Sequence, residues 1–142
     1  MVAKLQIGIL FLCFLGCKEQ TSQPLSLDPY ERWRSYNLHD YTVDQIRSCY
    51  CPDGGKVVRI AVRSDTITSV RKLSDGSLVP YPRSRQYLTV DSLFGIIRNP
   101  GLDSINVTYD TTYGYPDMVD INPQQHPVDG GELYQTSNLQ IP

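Results

Sequence analysis

Short runs that alternate between apolar and polar residues, separated by turn residues, constrain the fold of this chain most strongly. The run over residues 56–63 places Val58, Ile60 and Val62 on one side and arginines on the other, which is the period-two pattern of a half-buried strand. Ser64-Asp65 links it to a second run over 66–73, and this two-residue spacing predicts a hairpin. Comparable runs cover residues 41–51, 105–109, 115–122 and 132–139. The connections within each group of strands are too short for a crossover helix, so antiparallel pairing is expected.

Two short segments carry helix signals instead. Asp28-Pro29 followed by Glu31 predicts a capped helix start, and that helix is expected to run to about Asn37. Thr89 is the predicted N-cap of a second helix; its apolar side chains recur at helical spacing from Val90 to Ile97. The predicted fold class is therefore α+β: a mainly antiparallel sheet with two short helices packed on one face, in the order α-β-β-β-α-β-β-β.

The N-terminus predicts an export signal over residues 1–16, with Lys4 ahead of an apolar stretch that is too short to cross a bilayer comfortably. The following Phe14-Leu15-Gly16-Cys17 resembles the lipobox of bacterial lipoproteins, in which the cysteine is lipidated and becomes the new N-terminus. Two alternatives stay open: an ordinary secretory signal cleaved near Gly16, or an uncleaved anchor helix.

The segment after Cys17 supports lipidation, because residues 17–27 form a polar tether without strand or helix periodicity. Lys18 favours the outer membrane if the organism has one. We therefore expect three parts: a lipoprotein signal peptide over 1–16, the tether over 17–27 and a single domain over 28–142.

Charge and motifs exclude several functions. With 13 basic and 15 acidic side chains, the chain has a formal charge of −2. A chain of this charge is not expected to have the basic surface that nucleic-acid binding requires. The sequence contains no serine-hydrolase, zinc-protease or phosphate-loop motif. We expect no catalytic residues, no cofactor and no small-molecule substrate.

The most reactive residues outside the anchor are Cys49 and Cys51. On a strand their Cα atoms would lie about 6.6 Å apart on one face, near the upper limit for a disulfide. The alternatives are a structural disulfide or pair of buried thiols, a redox pair, and a soft metal site. No helix begins at this motif and no lysine lies inside it, Lys56 being the nearest cation, so the structural role is favoured over reactive thiols.

Charge is unevenly distributed along the chain. Basic residues concentrate before residue 89, and Arg98 is the single basic side chain among seven acids after it. A calcium site built from Asp110, Asp117, Asp120 or Asn122 would suit a hard cation. Outward-facing acids on solvated strands are the preferred interpretation.

Several motifs follow one another in a fixed order: Trp33-x-x-Tyr36, Cys49-Tyr50-Cys51-Pro52, Val58 to Val62, Thr89 to Phe94, Val107 to Asp110 and Tyr113 to Pro116. This order resembles that of a bacterial exported lipoprotein-type domain of unknown function, the family numbered 6174, over residues 28–139. The resemblance implies the same export context and brings no activity, cofactor or site residue with it.

The sequence thus predicts a membrane-anchored envelope lipoprotein that is not an enzyme. Its anchor is the lipid on Cys17, and its domain is expected to bind a protein or another envelope component through an exposed sheet face. The alternative is a periplasmic thiol-redox or metal-handling protein that uses Cys49 and Cys51.

Overall fold

A single antiparallel sheet of six strands forms most of this protein in a computed structural model, which describes residues 28–128 and 130–142. The signal, Cys17 and the tether lie outside the described residues. The helices are α1 (Pro29–Ser35) and α2 (Val90–Arg98), and two 3₁₀ segments cover Arg83–Gln86 and Pro123–Val128. The strands are β1 (Tyr41–Ser48), β2 (Val57–Arg63), β3 (Thr66–Lys72), β4 (Ile105–Tyr109), β5 (Pro116–Ile121) and β6 (Glu132–Gln140).

The α+β prediction is wrong, because the architecture is mainly β. Helices α1 and α2 have only 7 and 9 residues, which is too little to form a helical layer of their own. The predicted order of helices and strands is close to the observed one, apart from the 3₁₀ segments. Frequent turns keep the helices short, so one sheet dominates.

The strand order β3-β2-β1-β6-β5-β4 divides the sheet into two three-stranded halves. The first half of the chain forms β1 to β3 and the second forms β4 to β6. The halves meet where β1 pairs with β6, with Ile46 opposite Gln135. Acidic residues occur on both sides of α2, but no lysine or arginine follows it, so the uneven charge along the chain becomes an uneven charge across the sheet.

Both helices begin where the sequence predicts. The Asp28 carboxylate accepts a hydrogen bond from the backbone N–H of Tyr30 at 2.8 Å, and the Thr89 hydroxyl accepts one from the backbone N–H of Ser92 at 3.1 Å. Helix α1 ends at Ser35, two residues earlier than expected, because Asn37 takes a positive φ of 49° that ends the helical path.

The core lies between one sheet face and the two helices. Trp33 of α1 packs edge-on against Tyr41 of β1, with ring centroids 5.5 Å apart. Leu93 of α2 packs in a cluster with Val119 and Tyr134. The cross-strand register places these strand residues on the same face, so the opposite face of the sheet is left without helical cover among the described residues.

Two strand ends differ in how well the sequence predicts them. The hairpin between β2 and β3 turns at Ser64 and Asp65, which both have positive φ, as the two-residue turn predicts. Strand β1, in contrast, ends at Ser48 rather than Cys51. The cysteine motif therefore lies in the connection that follows the strand.

Candidate functional site

Cys49 and Cys51 form a disulfide in the bend after β1. Their Cα atoms are 5.3 Å apart, closer than the extended spacing assumed from the sequence, because the chain turns at this point. The backbone N–H of Cys51 donates to the carbonyl of Cys49 at 2.9 Å. A side chain at Gly54 would bring a Cβ within 2.5 Å of that same carbonyl, so the tight turn requires glycine here.

Arg47 contacts this disulfide from the end of β1. Its Nη1 atom lies 3.1 Å from Cys51 Sγ and donates to Gln86 Oε1 at 2.8 Å. Its Nε atom is paired with the Glu132 carboxylate. The sequence argument that Lys56 is the nearest cation is therefore wrong: a guanidinium touches one sulfur of the pair directly.

The turn that carries the cysteines is held in place by Asp53, whose side chain is only 4% exposed. Three cations surround its carboxylate: Arg83 at 2.7 Å, Lys56 at 3.2 Å and Lys72 at 3.5 Å. The hydrogen bond from Lys56 holds the pKa of Asp53 below its usual value. Burial acts in the opposite direction, and the charges of Arg83 and Lys72 lower the pKa further. The carboxylate thus connects the turn to β3 and to the first 3₁₀ segment.

The centre of the uncovered sheet face carries charges that satisfy one another. Arg59 donates two hydrogen bonds to the Asp44 carboxylate, at 2.7 and 2.9 Å, and Asn138 adds a third at 2.8 Å. Burial alone would raise the pKa of Asp44, but these hydrogen bonds outweigh it and lower the pKa. Because these groups are already paired, this part of the face offers a partner few free contacts.

A groove at the outer edge of β3 is more open. The segment after β3 covers only its second half: Val79 N–H donates to the Val70 carbonyl, and Lys72 N–H donates to the Ser77 carbonyl, both at 2.9 Å. Pro80 and Pro82 then direct the chain away from the strand. Within the described part of the chain, β2 pairs with the inner edge of residues 66–69, and no strand pairs with their outer edge.

The resulting groove has a volume of about 750 Å³. Its outer wall is formed by Tyr81, which is 73% exposed, and by Arg85, whose guanidinium lies 5.9 Å from the centre of the Tyr81 ring. Buried Val79 and Tyr87 also line it. It thus combines an unpaired strand edge with an apolar floor and one cation.

The acidic residues considered for calcium are each used locally. Asp110 accepts hydrogen bonds from the backbone N–H groups of Thr112 and Tyr113, and Asp120 lies 2.6 Å from His126. The other two also have side-chain partners: Asp117 accepts a hydrogen bond from the Thr108 hydroxyl, and the Asn122 amide donates one to Asp103. Among the residues that the structure describes, no three histidine, cysteine or carboxylate side chains form a group that could hold a metal ion.

Comparison with known protein families identifies the family of this chain. The sequence model of the family described as "Family of unknown function (DUF6174)" matches residues 27–141. The chain belongs to this family. Neither the curated proteins nor the solved structures contain a match to this DUF6174 chain. No helix within the described residues is long and apolar enough to cross a membrane.

Sequence reasoning missed two features of this DUF6174 domain. One is the contact of Arg47 with Cys51, which depends on where β1 ends. The other is the β3 groove, whose signal is the pair of prolines at 80 and 82: they lack the N–H donors that would continue the cover along β3.

Proposed function

We propose that this DUF6174 protein is a membrane-anchored lipoprotein of the bacterial cell envelope, and that its domain binds an extended segment of another envelope protein without catalysing a reaction. Anchoring is supported by the apolar stretch before Gly16, by Cys17 in a lipobox-like setting, and by the polar tether. A lipidated cysteine of this kind carries a diacylglycerol group and usually a third acyl chain, which exceeds the two signals that stable attachment needs. Eleven tether residues span at most about 40 Å, which sets how far the domain can reach from the bilayer.

The observation that carries the binding proposal is the uncovered first half of β3. A strand edge presents unpaired N–H and C=O groups, and an extended peptide can add to it as a further strand. The segment over residues 77–79 already runs antiparallel to β3. A bound peptide would extend this cover along residues 66–69.

The groove also specifies the chemistry of the peptide. Arg85 stands beside Tyr81 and has no carboxylate partner within the described residues, whereas Asp65 at the end of the groove is paired with His39 at 2.9 Å. A peptide with an acidic side chain opposite Arg85 and an apolar side chain over Tyr87 would match the free charge and the apolar floor of the groove. The paired charges of Asp44 and Arg59 make the centre of the uncovered face less suitable.

Selection from a random library of displayed twelve-residue peptides tests this proposal on the full chain. We expect the selected peptides to be rich in β-branched residues and to share one acidic position. Arg85→Glu should weaken their binding about tenfold or more, as expected when an attractive charge becomes repulsive. Arg71→Glu is the matched control, because Arg71 is an exposed arginine of β3 that does not line the groove. Equal effects of the two variants, or peptides without a shared acid, would contradict the proposal.

A further inference from the structure

We infer that the Cys49–Cys51 disulfide is a site of thiol–disulfide exchange, that its substrate is a pair of neighbouring cysteine thiols on a partner protein, and that Arg47 directs the attack to Cys49. This inference rests on the end of β1 and does not depend on the β3 groove, so either can fail without the other.

The disulfide is accessible to another protein. Tyr50, between the two cysteines, is 89% exposed, and both cysteines are partly exposed. Together with Pro52 they line a shallow opening of about 350 Å³. An incoming polypeptide can therefore contact the Tyr50 ring while one of its thiolates approaches a sulfur atom.

The two sulfur atoms have different surroundings. Arg47 Nη1 is 3.1 Å from Cys51 Sγ, while no cation contacts Cys49 Sγ among the described residues. Gln86 and Glu132 fix the guanidinium in position, although the Glu132 charge offsets part of its field. When the disulfide opens, negative charge on Cys51 meets Arg47 directly, so Cys51 is the better leaving sulfur.

The exchange then proceeds in two balanced steps. A substrate thiolate attacks Cys49 Sγ, the Cys49–Cys51 bond breaks, and its electron pair stays on Cys51 as a thiolate beside Arg47. The second substrate thiolate then attacks the substrate sulfur of the mixed disulfide and releases Cys49, which takes a proton from solvent. The substrate leaves as a disulfide, oxidised by two electrons, and the protein keeps a dithiol.

The first test locates the attack in the unaltered site. The full chain carrying Cys13→Ser and Cys17→Ser, so that Cys49 and Cys51 are its only cysteines, is mixed briefly with glutathione, quenched in acid and mapped by mass spectrometry. We expect the glutathione adduct on Cys49. An adduct mainly on Cys51 would overturn the inference, and so would the absence of any adduct.

The second test measures the contribution of Arg47 in the same background. Arg47→Gln should slow reduction of the disulfide about tenfold, because a leaving thiolate loses an adjacent charge, while Arg47→Lys should retain most of the rate. Arg59→Gln is the matched control, since it breaks another arginine–carboxylate pair without facing the cysteines. Equal rates in the Arg47→Gln and unsubstituted proteins would refute the role of Arg47. If Arg47→Gln does not fold, the position of the glutathione adduct in the protein that keeps Arg47 still tests whether attack is directed to Cys49.

The third test concerns the substrate. A peptide with two neighbouring cysteines should be oxidised to its disulfide with a stoichiometry of one per chain, while a peptide with one cysteine should stop at the mixed disulfide. Failure of the two-cysteine peptide to become oxidised would show that the pair is structural only.

Discussion

Phe94 is the residue whose truncation tests the packing of this domain most directly. It lies on α2, is 2% exposed, and packs edge-on against Tyr30 of α1 at 5.0 Å between ring centroids. It also stacks against Tyr109 of β4 at 6.1 Å. One side chain thus connects both helices and the second half of the sheet.

The cost of Phe94→Ala can be estimated from these contacts. Returning a buried phenylalanine side chain to water costs about 1.5–3 kcal/mol, and the cavity and lost ring contacts raise the usual total to about 3–5 kcal/mol. Because a surface groove borders Phe94, water can enter the space, and we expect about 3 kcal/mol. That is a large share of the stability of a small domain.

Urea denaturation followed by tryptophan fluorescence measures this loss, because Trp33 is buried in the same cluster. Leu102→Ala serves as the control: Leu102 is fully exposed, so this substitution should change the free energy of unfolding by no more than about 0.5 kcal/mol. A double-mutant cycle with Tyr30→Leu should give a coupling of about 0.5–1.5 kcal/mol. A loss below about 1 kcal/mol for Phe94→Ala would refute the packing described here.

Three further predictions concern charge, the anchor and the disulfide. Asp53→Asn should lower the free energy of unfolding by about 1 kcal/mol, since the cations around it are partly exposed and can rehydrate. Because the pKa of Asp53 is lowered in the folded state, this difference in stability should be full above about pH 5 and should vanish as the pH falls through the lowered pKa. Denaturation at several pH values measures both effects. Cys17→Ser should abolish incorporation of radiolabelled lipid and leave an unprocessed or soluble form, and unchanged detergent partitioning would contradict lipidation. Replacing both Cys49 and Cys51 by Ser should cost about 1–2 kcal/mol, because the closed loop has only three residues, while peptide binding at the β3 groove, measured by calorimetry, should be retained.

Local signals predicted the elements well because their causes are local. The caps at Asp28 and Thr89 and the hairpin turn at Ser64-Asp65 depend on a few adjacent residues, so the sequence contains all that determines them. The pairing of β1 with β6 could not be predicted in this way. It joins segments about 90 residues apart, and no local pattern distinguishes it from other antiparallel pairings of six similar strands.

The error at the cysteine motif shows how one misplaced strand end changes a chemical conclusion. If β1 continued to Cys51, Arg47 and Cys51 would lie four extended residues apart, about 13 Å at 3.3 Å per residue, and the guanidinium could not act on the sulfur. The chain instead bends after Ser48 and returns, so that the Gly55 N–H donates to the Arg47 carbonyl at 2.9 Å. Gly54 permits the close approach that this return requires. The bend therefore does two things at once: it brings the cysteines together, and it places the last cation of β1 against one of them. A variant that opens the turn, such as Gly54→Val, should therefore lose the preference for attack at Cys49 even though Arg47 and both cysteines remain, and glutathione mapping of that variant would show adducts on both.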